Sequence, residues 1–319
     1  MLMNGIQRHM NDLTVAQAAE LLLSGQVCAF PTETVYGLGG DATNPDAVLA
    51  IYETKGRPRF NPLIMHCADL AMAERLAHFS PLALRLAELW PGSLTIVLPA
   101  RANNGLADVA TAGLSTVGLR VPNHPLALEL LRVVGVPLAG PSANPSGKLS
   151  PTTAEQVWNG FGGRVPVLDG GPCNAGLEST IIRVDGERLV QLRAGALARE
   201  DIEAAIGQPI EVAQEGAAIV APGMLASHYA PNALMRLDAT PRAGEAYLAF
   251  GAAEPFDGPT QNLSASGNLR EAARNLFSML HALDREGAQM IAVAPIPHNG
   301  LGEAINDRLQ RAAAPRPTA

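Results

Sequence analysis

Three cationic side chains, Lys55, Arg57 and Arg59, stand directly before the apolar run Leu63-Ile64-Met65, which His66 closes, in the stretch KGRPRFNPLIMH. A lysine neutralises a phosphate as a point charge, and an arginine grips one with two parallel hydrogen bonds. Asn61 and His66 can add polar contacts. A charge cluster is usually a solvated face, so the stretch gains meaning only beside others like it. FPTETVYGLGGDA (30–42) places Thr32, Glu33 and Thr34 after an apolar run, followed by glycines that let the backbone come close to a ligand. Thr and Gly equally suit an ordinary turn. AGPSANPSGKLSPTT (139–153) gathers hydroxyls and Asn144 ahead of a helix starting near Thr152 or Thr153, whose free N–H groups favour anions. GLEST (176–180) puts Ser179 at the head of a hairpin that ends in Arg193. These residue types orient and neutralise an anion; none is an obvious activated nucleophile.

Several templates fail. H-E-x-x-H and G-x-S-x-G are absent. GPSANPSGK is not a P-loop: the Gly140–Gly147 spacing is too long, and Leu149 stands where Ser or Thr would hold Mg²⁺.

The elements that must position these residues are punctuated clearly. Thr14 and Gln17 predict a capping box before AQAAELLLS, and VCAF (27–30) a buried strand. Asn44-Pro45-Asp46 predicts a helix start and Gly56 its end, so Arg57 leaves a helix as the chain turns into strand PLIMHC (62–67). LALRLAELW (82–90) and HPLALELLRVVG (124–135) read as helices. LTIVLPA (94–100), VGLRVP (117–122) and VPLAG (136–140) read as strands. A hairpin turns at Asp185-Gly186. Without strict βαβ alternation, the fold class is α/β with a twisted, mixed sheet. Periodicity fails over residues 207–232, a linker rich in small residues and prolines. It resumes with strand AYLAF (246–250), helix 268–287, strand MIAVAP (290–295) and helix 302–313, a smaller α/β unit over 233–319.

The chain has 319 residues, 47% hydrophobic and 17% charged, enough for real cores and unlike a disordered chain. Its net charge of −7 argues against a general nucleic-acid-coating face but not against one local anion site. Cys28, Cys67 and Cys173 are far apart and form no C-x-x-C pair, which suits a reducing cytosol. No signal peptide and no membrane span are expected, so the expected location is cytoplasmic.

Taken in order, FPTETVYGLGGDA, KGRPRFNPLIMH, STVGLRVP, GPSANPSGKLSPT, LEST and PGMLASHYAP resemble the YrdC/Sua5 family. The family's K-x-R … S-x-N signature is matched by Lys55, Arg57, Ser142 and Asn144. The resemblance implies a YrdC-like catalytic domain (1–206), a linker or lid (207–232) and a Sua5 C-terminal domain (233–319). It implies a nucleotidyltransferase that makes threonylcarbamoyl-AMP and pyrophosphate from L-threonine, bicarbonate or CO2, and ATP. Downstream proteins then transfer the threonylcarbamoyl group to adenosine 37 of tRNAs. By the same resemblance, Thr34, His66, Arg120, the backbone near Gly140, and Ser179 surround threonine. Lys55, Arg57, Asn61, Thr116, Ser142, Ser150, Arg193 and Tyr229 contact ATP, with Asn144 supporting that loop. Mg²⁺ is expected with the triphosphate. The family's linker usually carries a basic residue shortly before HYAP, where this chain has MLAS.

Two other readings stay open at this level. An RNA-binding module would show tight, salt-sensitive tRNA binding without ATP turnover. Another YrdC-type carbamoyl-transfer enzyme would carry zinc-finger parts that three scattered cysteines cannot build. No stable direct nucleic-acid binding is expected, and the C-terminal helices show no catalytic cluster.

Overall fold

The computed structural model describes residues 13–213 and 228–315. Helix Val15–Leu23 opens with the expected capping box, the Thr14 and Gln17 side chains each serving the other's backbone. Strand β1, Cys28–Phe30, follows. Beyond it the polar stretch contains β2, Gly37–Asp41, which sequence reading left as a turn because GLGGD has no β-branched residue. Asn44 Oδ1 accepts from the Asp46 and Ala47 amides and caps helix Pro45–Lys55; Gly56, at φ +60°, ends it. Lys55 and Arg57 are thereby fixed on either side of a helix stop.

Next come β3, Ile64–His66, and two short helices, Leu70–Leu76 and Pro81–Ala87. Strands β4, Leu94–Pro99, and β5, Thr116–Arg120, precede helix Pro125–Val134 and β6, Leu138–Ala139. Helix Ala154–Phe161 is capped by Thr153, and the hairpin comprises β7, Thr180–Asp185, and β8, Arg188–Arg193. After helix Arg199–Ile206, strand β9, Glu211–Val212, pairs alongside β8. The first sheet, in the order β1-β2-β6-β3-β5-β4-β7-β8-β9, mixes parallel pairs such as β3–β5 and β4–β7 with antiparallel ones. This is the mixed α/β sheet expected from the absence of βαβ alternation.

Side chains alternate across the sheet, and the alternation builds the site. Met65, Leu119, Ile96 and Ile182 enter the main core with Phe30, Leu38, Ile51 and Leu130. Their neighbours one residue away face the other way. Ile64, Val97 and Ile181 form a separate small cluster on the opposite face, and Thr95, Thr116 and Gly118 line a shallow slot with them. His66 and Arg120, paired across β3 and β5, extend the same face.

The first residues of the expected linker, 207–213, lie against the first sheet. Val190 and Gln191 pair with Glu211 and Val212, and Ile210 packs into the first core. Composition does not reveal this backbone pairing. The centre of the expected lid, with Gly223, lies outside the described residues.

The C-terminal part folds on a parallel sheet of β10, Leu234–Arg236, β11, Ala246–Ala249, β12, Thr260–Asn262, and β13, Met290–Val293, in the order β10-β13-β11-β12. Helices Leu269–Arg285 and Leu301–Ala313 cover it. Its core of Leu248, Phe277, Leu280, Ile291, Ile305 and Leu309 continues into the first domain through Val35, Leu149 and Leu177. Gly176, at φ +76°, comes so close that a Cβ there would lie 2.4 Å from Arg274 Cα.

Candidate active site

A cleft opens on the polar end of the sheet face, lined by Thr32, Thr34, Arg57, His66, Arg120, Gly140, Ser142, Glu178, Ser179, Arg193, His228 and Tyr229 among others. Nine of the fourteen residues assigned from sequence line it: Thr34, Arg57, His66, Arg120, Gly140, Ser142, Ser179, Arg193 and Tyr229. They arrive from seven separate stretches of chain.

One end is organised around Arg120. Its Nη2 lies 2.7 Å from Glu33 Oε1, and its Nε donates to the Gly92 carbonyl at 3.2 Å. Glu33 also accepts from Ser93 Oγ and from the Asn123 amide, each at 3.0 Å. Burial pushes the Glu33 carboxyl up, but the charge and hydrogen bond of Arg120 outweigh it and hold the group below its ordinary value. His66 stands beside Arg120 with Nδ1 unpartnered. Burial first, then the Arg120 charge, bring its pKa down to about 3, so the imidazole is neutral. Gly140 is dictated by that ring: a Cβ would lie 2.8 Å from His66 Nδ1. Thr32 Oγ1 donates to the Val35 carbonyl at 2.6 Å and stands 2.8 Å from Thr34 Oγ1. The Thr32 hydrogen is therefore committed to folding the loop.

The other end carries cations. Arg57 donates from Nε to Asn61 O at 3.4 Å and from Nη2 to Pro62 O at 3.2 Å. Burial brings its pKa down to about 10, still well above neutrality, so it stays charged. Arg193 grasps Ser179 through its carbonyl and hydroxyl, at 2.8 and 3.2 Å from Nη2. Ser179 Oγ also pairs with Thr95 Oγ1 at 2.7 Å. Tyr229 and His228 close this end, their rings 4.1 Å apart. Burial, against the pull of Glu178, lowers the His228 pKa to about 3.

Five assigned residues sit elsewhere. Lys55 is buried against the 142–144 loop. Its Nζ donates to the Ser142 and Asn144 carbonyls, both at 2.5 Å, rather than opening onto the cleft. Burial and then the charge of Arg57 push its pKa well below the ordinary amine value. A short helix end facing a loop of outward carbonyls makes Lys55 a fastener of that loop. Asn144 donates to the Pro145 and Lys148 carbonyls and holds the same loop from within. Ser150 Oγ donates to Glu178 Oε1 at 2.5 Å behind the wall. Thr116 lines the neighbouring slot instead, which shares Ile64 with the cleft. Asn61 is buried and neither amide atom of its side chain has a partner.

Sequence reading passed over His228, although it precedes Tyr229 in the same motif, and Glu178, although it stands in GLEST. It also read the C-terminal helices as free of site residues. Arg308, 1% exposed, donates from Nε to Glu178 Oε2 at 2.9 Å. The signal was present: Ile305, Arg308, Leu309 and Ala312 follow helical spacing, and a cation interrupts that apolar stripe.

The sequence model of the Sua5/YciO/YrdC family, described as "Telomere recombination", matches residues 20–195. That of the threonylcarbamoyl-AMP synthase C-terminal domain matches residues 197–314. The chain is 40% identical to the threonylcarbamoyl-AMP synthase of Bacillus subtilis, covering 96% of this chain and 94% of that one. Identity to the Pyrococcus abyssi threonylcarbamoyl-AMP synthase is 37%, over 98% and 97% of the two chains. The crystal structure of P. abyssi Sua5 complexed with L-threonine superposes with a TM-score of 0.86, 37% identity and 94% coverage of both chains. The chain belongs to the Sua5/YrdC family, in its two-domain form, the threonylcarbamoyl-AMP synthases.

Proposed function

We propose a division of labour within the cleft for the synthesis of threonylcarbamoyl-AMP, the activity of this chain's family. L-Threonine lies at the Arg120 end and ATP at the Arg57–Arg193 end. The observation that carries this is that one cleft is lined both by Arg120, a buried cation paired with Glu33, and by the buried cations Arg57 and Arg193, the latter bonded to Ser179. Arg120 pairs with the threonine carboxylate. Thr34, Ser179 and the backbone at Gly140 enclose the rest of the amino acid. His66, neutral with an unpartnered Nδ1, accepts a hydrogen bond from it. A conjugate acid of pKa about 3 is a poor match for proton removal at neutral pH, so His66 orients threonine rather than deprotonating it.

The neutral threonine amine adds to CO2 with loss of a proton to water, or to bicarbonate with loss of water, to give a carbamate. A carbamate oxygen then bonds to the α-phosphorus of ATP as the bond to pyrophosphate breaks. Arg57 and Arg193 neutralise the charge that develops there, and the unsatisfied Asn61 amide adds donor and acceptor capacity. Ser142 contributes from the loop that Lys55 and Asn144 hold, while Thr116 borders the slot beside it. Mg²⁺ enters in this reading as the counter-ion of ATP. Among the described residues no group of three His, Cys, Asp or Glu side chains gathers, and Glu178 is committed to Arg308 and Ser150.

The product passes to proteins that transfer the threonylcarbamoyl group to tRNA. Among the described residues no helix is long and apolar enough to cross a membrane. Cys28, Cys67 and Cys173 are unpaired thiols, which favours a cytoplasmic setting. Pyrophosphate release from ATP tests the whole reading. It is expected to require both L-threonine and bicarbonate and to be lost in Arg57→Ala. Release indifferent to threonine would replace the synthase reading with a simple ATPase.

A further inference from the structure

We propose that Arg308, supplied by the C-terminal domain, is a positioning residue for the nucleotide end of the cleft. One guanidinium serves three parts of the wall. Nε donates to Glu178 Oε2 at 2.9 Å, and Nη2 donates to the Ala194 carbonyl, next to Arg193, at 2.9 Å. Its Cζ lies 5.1 Å from the centre of the Tyr229 ring, a cation–π contact. Nη1 is held by Asp307 Oδ2 at 2.5 Å, so the fork is locked in place. Glu178, Arg193 and Tyr229 all line the cleft. Arg308 itself does not line it and acts through them.

The reason is charge. Glu178 is a buried carboxylate at the end of the cleft that must accept phosphates. Burial would push its carboxyl up, but the charges of Arg308 and Arg193, with hydrogen bonds from Ser150 and Arg308, hold it ionised. Arg308 neutralises it from the side away from the cleft. Without Arg308, Glu178 is left to the cations of the cleft wall, Arg193 among them, and a carboxylate drawn onto Arg193 opposes the phosphates. Tyr229, held at φ +63° where a non-glycine residue is strained, loses the cation beneath its ring at the same time. The threonine carboxylate has its own partner, Arg120, held by Glu33 rather than by Arg308. The proposal rests on the assignment of ATP to the Arg57–Arg193 end.

The test uses the full-length protein with Arg308→Met and with Arg308→Met/Glu178→Gln. Kinetics vary ATP and L-threonine separately, and calorimetry measures L-threonine binding without ATP. Arg308→Met is expected to raise KM for ATP by roughly ten-fold or more while the threonine affinity stays within about two-fold. Adding Glu178→Gln, which removes the unpaired charge, is expected to recover most of that loss. The second variant also covers the case in which Arg308→Met fails to fold. Equal loss at both substrates, a lowered melting temperature with KM unchanged, or no recovery in the double variant would each overturn the proposal. Failure of the wild type to require ATP and threonine together would instead count against the assignment of the cleft.

Discussion

Glu33 Oε1 lies 2.7 Å from Arg120 Nη2, with both side chains almost wholly buried. A guanidinium needs such a partner to survive burial, and a planar one is held in a single orientation by it. Glu33→Gln keeps the shape and removes the charge. The variant is expected to weaken L-threonine binding by at least about ten-fold in calorimetry, with ATP binding little changed. The pair also has a pH signature. Glu33 titrates below its ordinary 4.5, so its stabilisation is complete above that value and is lost as pH falls through the lower, folded value. Wild type and Glu33→Gln should therefore converge in denaturant midpoint on acidification; parallel curves would refute the pairing.

Lys55 binds two carbonyls of the 142–144 loop. Lys55→Met leaves both acceptors buried, and unfolding in urea should show a loss of about 1–3 kcal/mol. Because Ser142 rides on that loop, KM for ATP should rise with it. A variant of native stability and raised KM would return Lys55 to direct contact with the nucleotide.

Gly140→Ala puts a methyl group 2.8 Å from His66 Nδ1. The His66 ring, packed edge-on against Phe30, leaves little room to yield. Threonine affinity is expected to fall by roughly ten-fold or more, while the loss of stability stays near the 1–3 kcal/mol of an overpacked site. Calorimetry and thermal melting read the two separately, and a silent substitution would mean that the His66 ring moves freely.

His66 and His228 are both neutral, with pKa values near 3. Unfolding lets each return to an ordinary value near 6.5. Between those limits the unfolded chain binds more protons, so stability falls as pH drops below about 6.5. The slope is up to about 1.4 kcal/mol per pH unit for each ring. Both imidazole NMR signals should stay constant from neutral pH to about 5. A midpoint near 6.5 for either would disprove its burial as a neutral group.

Much of the scaffold was legible because local rules decide it. The Thr14 and Asn44 caps, the Gly56 stop and the Asp185-Gly186 turn each act within a few residues. The strands carrying His66 and Arg120 were legible, but their sharing one face follows from the β3–β5 pairing. Other features depend on contacts made far along the chain. β2 is held by pairing with β1 and β6, and β9 by pairing with β8, without strand-forming composition of their own. The two carbonyls that Lys55 binds are revealed only by the tertiary approach of the 142–144 loop. Arg308 was visible as a cation on an apolar stripe, but its partner lies 130 residues away.

The continuous core through Val35, Leu149 and Leu177 has a practical meaning for handling the molecule. Released from Phe277 and its neighbours, those three side chains would meet water together, beside the loops that shape the cleft. A fragment ending near residue 213 would carry a sticky, greasy flank where the intact chain has an interior. Such a fragment should self-associate on purification rather than behave as a smaller enzyme, because the second domain is a jacket for the first.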